Sequence, residues 1–413
     1  MENKIIRICD IVRNSVWFDP RVIKQIHEYD KAGFDLCIVG EEDERYNEEE
    51  ISRMPGSVTI VPIKSKYKKI KNKFNTVLKE FSLYRGLVDA IVKYRPDIIH
   101  ANDLDALLAA YLASRKLGCK VIFDSHEIYV DNIGFNSSFV KKILWAIVEK
   151  WIIKRVDLVV CVSNAAADFI AEKYGIKKPL VVTNCTRKQP ESSVEPTKAG
   201  TFEVLNHGQF YEGRGYDLMV SAGAITSNPD IAYVLRGFGK LEPELRAEAE
   251  SKQLTNVIFA PPVKTPELIS AARKSHVGVA ITLPICLNYK LSVSNKIFEY
   301  AAAGLPVIMS DIPEHRYLNE KYNFGIILKE NTAECLRDAV TVLYENKELY
   351  QQYAANAKRL SEELNWETEF AKLGKVELAE KLCIGNDVFG HFKADAIKIF
   401  FYLYFLHGAL IPS

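Results

Sequence analysis

LSVSNKIFEYAAAGLPVIMSD, residues 291–311, is the stretch whose reading decides the fold. It opens as a polar turn at 292–295 and continues as an amphipathic helix at 296–303. Gly304 stops the helix, and a buried strand follows at 306–309. Such a unit delivers a helix N-terminus, Lys296 and Glu299 to one edge of a sheet. The unpaired N–H groups around Ser294 and Asn295 and the positive end of the helix dipole attract an anion, most naturally a phosphate, and Lys296 adds a full charge. Glu299, one turn on, is suited to accept hydrogen bonds from a ribose diol, although the same residues also make an ordinary solvated first turn.

Outward from this stretch the chain keeps one rhythm. Short apolar strands at 5–12, 36–39, 58–62, 98–100, 121–123 and 157–162 are separated by longer stretches, including a helix after Pro20 and a long one at 74–92. The rhythm returns with strands at 202–205, 231–235, 257–259, 276–280 and 307–309, and helices at 217–226 and 242–252. Alternation of this kind predicts parallel βαβ units in an α/β fold, with each sheet doubly wound and covered on both faces. A polar, proline-bearing stretch at 187–200 reads as a linker between a domain at 1–186 and a second at 201–382, with a tail at 383–413.

The 413 residues suffice for two ordinary domains. With 54 basic and 53 acidic side chains there is no global field to draw nucleic acid, so any anion is held locally. Eight cysteines fall singly, without CxxC or Cys/His clusters, which suits buried thiols in a reducing cytosol rather than disulfides or zinc. MENKIIRICD lacks the apolar core of a signal peptide and no apolar run reaches transmembrane length, so the expected location is cytoplasmic. No GxGxxG follows the first strand, which argues against an oxidoreductase.

Ligands of open α/β sheets bind beyond the carboxyl ends of the strands, so the residues there are the site candidates. In the first half these are Asp19, Pro20 and Arg21, then His100 to Asp103, then the polar cluster Asp124, Ser125, His126 and Glu127. Asp103 is placed to cap the helix that follows it. In the second half they are Asn206 to Gln209 with Gly208, Glu212 to Gly215 with Arg214, the backbone-accessible Gly237 and Gly239, and the stiff turn Pro261, Pro262, Val263, on which a flat base could rest.

The order of these features resembles the retaining, nucleotide-sugar-dependent glycosyltransferases of the GT-B fold, family 4. The resemblance is carried by DPRVIKQIHEYDKAGFDLCIVG, HANDLDALLAAYLASRKLGCKVIFDSHEIY, HGQFYEGRGYDLMVSA and SNKIFEYAAAGLPVIMSD. It implies two Rossmann-like domains facing across a cleft. Glu299 is then expected on the ribose, Arg214 and Lys296 on the diphosphate, Pro262 and Val263 on the base, and His126 near the transferred sugar. Gly208, Gly215, Gly239, Ser294 and Asn295 complete the expected donor site, and Asp19, Arg21, Asn102, Asp103 and Glu127 the acceptor side. The family's second glutamate corresponds to Leu291 and its arginine after the donor-domain glycine to Gln209, a subfamily trait.

The implied chemistry is sugar transfer from a nucleoside-diphosphate sugar to a glycan or lipid-linked acceptor by front-face substitution, with no metal and no other cofactor. A GT-B nucleotide-sugar epimerase and a non-catalytic nucleotide-sugar-binding homologue are the alternatives. KSKYKKIKNK at 64–73 could dock on anionic lipid at the inner face of the cell membrane or form a solvated face, and an acidic run at 41–50 lies near it in sequence. The aromatic tail at 389–413 is too short to span a bilayer comfortably, and packs across the domains or lies at a membrane surface.

Overall fold

The computed structural model describes residues 5–14, 16, 19–42, 48–61, 73–128, 139–190 and 200–375. The basic stretch up to residue 72, the middle of the acidic run, most of the linker and the aromatic tail lie outside the described residues.

Both predicted sheets are present. The first contains β1 (Arg7–Ile11), β2 (Asp35–Glu41), β3 (Ser57–Val61), β4 (Ile98–Asn102), β5 (Lys120–Ser125), β6 (Leu158–Cys161) and β7 (Leu180–Val181), in the spatial order β3-β2-β1-β4-β5-β6-β7. The second contains β8 (Phe202–Gln209), β9 (Ile231–Phe238), β10 (Val257–Ala260), β11 (Val277–Ala280), β12 (Val307–Met309) and β13 (Gly325–Ile327), in the order β10-β9-β8-β11-β12-β13. Every described pairing is parallel. Each sheet therefore reverses its winding once, between β1 and β4 in the first and between β8 and β11 in the second, and a crevice opens beyond the strand ends at such a switch point.

Three strands run further than their apolar runs indicate. β4 takes in Ala101 and Asn102, β5 takes in Asp124 and Ser125, and β8 continues through Asn206 and His207 to Gln209. A neighbouring strand keeps pairing these polar residues, as in Asn102↔Asp124 and His207↔Arg236, so the hydrogen-bond ladder outlasts the hydrophobic pattern.

The helix Asn295–Ala302 buries Ile297, Phe298, Tyr300 and Ala301 against Leu205, Val234 and Ala280. It lies directly on β11 because Gly278 has no side chain: a Cβ there would come within 2.2 Å of the Tyr300 ring. Gly304, at φ +73, turns the chain out of this helix in the left-handed conformation that favours glycine, as the sequence indicates.

The described chain divides into two compact units, one holding the first sheet and one the second; the chain passes to the second at Thr183 and re-enters the first at Phe370. Re-entry has a local cause. In the helix Trp366–Lys375, the Phe370 ring meets Tyr29 edge-on at 5.1 Å, and Lys372 Nζ donates to the Val181 carbonyl at 3.2 Å.

Candidate active site

In the second unit, the end of β8 and the start of the Asn295–Ala302 helix bring four expected residues together. Lys296 Nζ donates to Asn206 Oδ1 at 2.6 Å and lies 3.3 Å from the Tyr216 hydroxyl. Asn206 Nδ2 donates in turn to the Arg214 carbonyl at 3.1 Å, while the Arg214 guanidinium stacks on Tyr289 at 4.1 Å. Burial and the neighbouring Arg214 charge push the Lys296 ammonium down to about 7, Glu299 acting in the opposite sense. Two basic groups are thus held beside one another in a partly desolvated place, and a bound anion with two charged groups would favour the charged form of both.

Glu299 is one turn along. Its Oε2 lies 2.6 Å from His207 Nε2, and His207 is itself fixed by a 3.0 Å hydrogen bond from its backbone N–H to the Tyr300 hydroxyl. Gly208 adopts φ +119, and a Cβ there would stand 3.6 Å from Lys296 Cε, so the glycine keeps the backbone open beside the lysine. Gly215 precedes the helix Tyr216–Ile225, where a Cβ would strike Ile281, and Gly239 packs on the Phe210 backbone. Ser294 sits at the helix start without a side-chain cap, Asn295 is exposed as the first helical residue, and Pro262 and Val263 follow the end of β10.

Because the His207 imidazole holds the Glu299 carboxylate, His207→Ala is expected to raise KM for the donor about tenfold with kcat little changed. Rescue of KM by His207→Gln is the readout that separates positioning from a general loss of packing.

The first unit builds a second cluster at the β1/β4 switch. Arg21 grips Asp124 with two nitrogens at 2.8–3.0 Å and donates through a third to the Val182 carbonyl at 2.8 Å. Gln25 Nε2 donates to Asp10 at 2.5 Å, Asn102 Nδ2 donates to Asp10 at 2.6 Å, and the Tyr29 hydroxyl pairs with His100 Nδ1 at 2.7 Å. His126 stands at the edge of this network, with Nε2 3.2 Å from Asn102 Oδ1 and 3.5 Å from Asp124, and Nδ1 3.5 Å from Asp103. Burial alone pulls His126 down, but the Asp103 and Asp124 carboxylates carry it up to about 9, so it is a cation at neutral pH. Burial raises Asp103 to about 7 against the pull of His126.

Three acceptor-side expectations change in the structure. Asp103 does not cap its helix: it is the first helical residue, at φ +64, and its carboxylate accepts the His126 backbone N–H at 3.0 Å. A non-glycine residue held in that left-handed region costs about 1–2 kcal/mol, and here the bond to His126 holds it. Arg21 is 2% exposed with its guanidinium committed inward, so it anchors Asp124 rather than meeting a ligand. Asn102 is fully buried and reaches outward through His126. Asp19 caps the helix Pro20–Lys31 by accepting from the Arg21 and Val22 N–H groups, with its other oxygen 3.9 Å from His126, and Glu127 is exposed beyond β5.

Asp10, Gln25 and Tyr29 in the first unit, and Tyr216 and Tyr300 in the second, are not among the candidates the sequence offers, whereas His100, Asp124, Asn206 and His207 stand among its strand-end candidates without an assigned role. The legible signal for several was a polar residue at the inner end of an apolar strand.

Two family profiles match the chain, Glycosyltransferase Family 4 over residues 21–185 and Glycosyl transferases group 1 over residues 188–360. The chain belongs to the GT-B glycosyltransferases. Among relatives, this GT-B chain is 23% identical over 240 residues to an uncharacterized glycosyltransferase of Methanocaldococcus jannaschii, and 25% identical over 161 residues to O-antigen chain mannosyltransferase C of Escherichia coli. The matches cover 55% and 38% of this chain, and 59% and 41%, about half, of those proteins. In fold it is similar to the Anabaena protein HepE, solved with UDP and glucose, at a TM-score of 0.70 and 14% identity, covering 91% of this chain and all of that one.

Proposed function

We propose that this protein is a retaining glycosyltransferase that moves a sugar from a nucleoside-diphosphate sugar to a glycan or lipid-linked acceptor in cell-surface polysaccharide synthesis. The observation that carries the reading is the paired cation site, Arg214 beside Lys296 at a helix N-terminus, with the His207-held Glu299 one turn away. The diphosphate is the leaving group, and its charge grows as the anomeric carbon–oxygen bond breaks. Arg214, Lys296 and the helix dipole stabilise that charge without calling on a metal ion. Glu299 takes the ribose hydroxyls. In the first unit, the charged His126 with Asp103 orients sugar and acceptor hydroxyls.

The relatives support this direction: one is an O-antigen chain mannosyltransferase, and HepE was solved with UDP and glucose. For a lipid-linked acceptor, the helix Phe139–Ile152 exposes Ile143 and Ile147, with Lys150 exposed further along it, a face suited to an anionic bilayer surface from the cytoplasmic side. No helix of the described residues is long and apolar enough to cross a membrane.

Incubation of the purified protein with UDP-, GDP- and ADP-sugars, with and without lipid extract, tests the reading. Acceptor-stimulated release of nucleoside diphosphate is the expected result. A sugar altered without any acceptor would make the protein an epimerase, and binding without release from any donor would make it a non-catalytic homologue.

A further inference from the structure

We infer that Arg236 reads the nucleobase of the donor, and that the base it selects carries a keto oxygen, as in uracil or guanine. This rests on the donor-site reading above and adds to it the chemical class of the nucleotide.

The argument starts from register. On three adjacent parallel strands His207, Arg236 and Ala260 stand opposite one another, His207↔Arg236 and Ala260↔Arg236. Neighbouring strands lie about 4.8 Å apart, and residues in register point to the same face of the sheet. One step back, Leu205 and Val234 share the core beneath the Asn295–Ala302 helix, and Ala260 packs against that core, so this is the helix-covered face. Arg236 therefore lies between His207, which holds Glu299, and Ala260, which opens the Pro261–Val263 turn. A nucleoside with its ribose on Glu299 and its base toward that turn must cross the Arg236 position.

The side chain is also unspent. Its Nε is buried without a hydrogen-bond partner, and the guanidinium makes no hydrogen bond, ion pair or ring contact among the described residues. Other arginines nearby are committed: Arg214 stacks on Tyr289 and Arg246 bonds Glu242. A donor buried without an acceptor is costly, and its retention on a strand otherwise lined by Val234 and Leu235 calls for a ligand that supplies one. Guanidinium offers donors only. Uracil and guanine present keto acceptors to it, guanine through O6 and N7 together, whereas the amino group of adenine sets donor against donor.

Calorimetric titration of the full-length protein with UDP, GDP and ADP tests this. UDP or GDP is expected to bind at least roughly tenfold tighter than ADP, with Arg236→Met erasing that preference and leaving ADP and inorganic pyrophosphate unchanged. Arg236→Lys, which keeps the charge but not the planar fork, should erase most of it as well. Glu299→Gln should weaken all three nucleotides alike, because the ribose is common to them. An Arg236→Met protein with unaltered preference, or with equal loss for all three, overturns the role of Arg236. A wild-type protein that binds none of the three overturns the donor-site reading itself.

Discussion

Lys296→Ala is expected to lower kcat by about 10²- to 10³-fold, the scale of removing one preorganised donor from a developing anion. The same lysine makes a sharper, signed prediction about protons. Burial and the Arg214 charge hold its ammonium down to about 7 from the ordinary 10.5, so above neutrality it is largely unprotonated in the free protein. A bound diphosphate favours the charged form and raises it again. Binding of a nucleoside diphosphate at pH 8, where the nucleotide's own terminal phosphate (pKa about 6) is already deprotonated, must then take up protons from the buffer. Titrations in buffers of different ionisation enthalpy measure the uptake directly. Lys296→Arg, charged at every accessible pH, should bind without it. Equal proton uptake by wild type and Lys296→Arg would remove Lys296 from the diphosphate site.

Arg21→Met should destabilise the first unit by about 3–5 kcal/mol, the cost of leaving a buried carboxylate without its partner. Asp124 is fully buried and Arg21 nearly so, and two side-chain nitrogens bind both carboxylate oxygens. Although burial alone would raise the Asp124 carboxyl, the Arg21 and His126 charges hold it well below the usual range. A depressed folded value places the stabilisation above the unfolded value near 4, and it is lost as the pH falls through the folded one. Chemical denaturation should therefore show a smaller gap between wild type and Arg21→Met in strong acid than at pH 7. A variant as stable as wild type at pH 7 would show that the pair contributes nothing net.

Much of the architecture was legible in the residue order because it rests on local rules. A glycine ends a helix wherever the chain must take φ > 0, as at Gly304. Apolar runs alternating with helices leave little choice but parallel sheets, and Lys296 and Glu299 share a helix face through spacing alone. What the sequence by itself determined was therefore the alternation of elements, the two-sheet plan and the helix that carries Lys296 and Glu299.

The tertiary structure decided the rest, because it depends on partners far apart in the chain. The sequence pattern ends these strands at the first polar residue, whereas pairing with a neighbouring strand carries β4, β5 and β8 onward regardless of polarity. Arg21 and Asp124 lie 103 positions apart and His207 and Glu299 92, so no local pattern announces either pair. Whether an arginine is an anchor or a ligand contact is likewise a matter of what surrounds it. Arg21 is neutralised inside the first unit, and Arg236 stands at a register position where no described residue answers it. Charge in a protein interior acquires its role from compensation, and compensation exists only once the chain has folded.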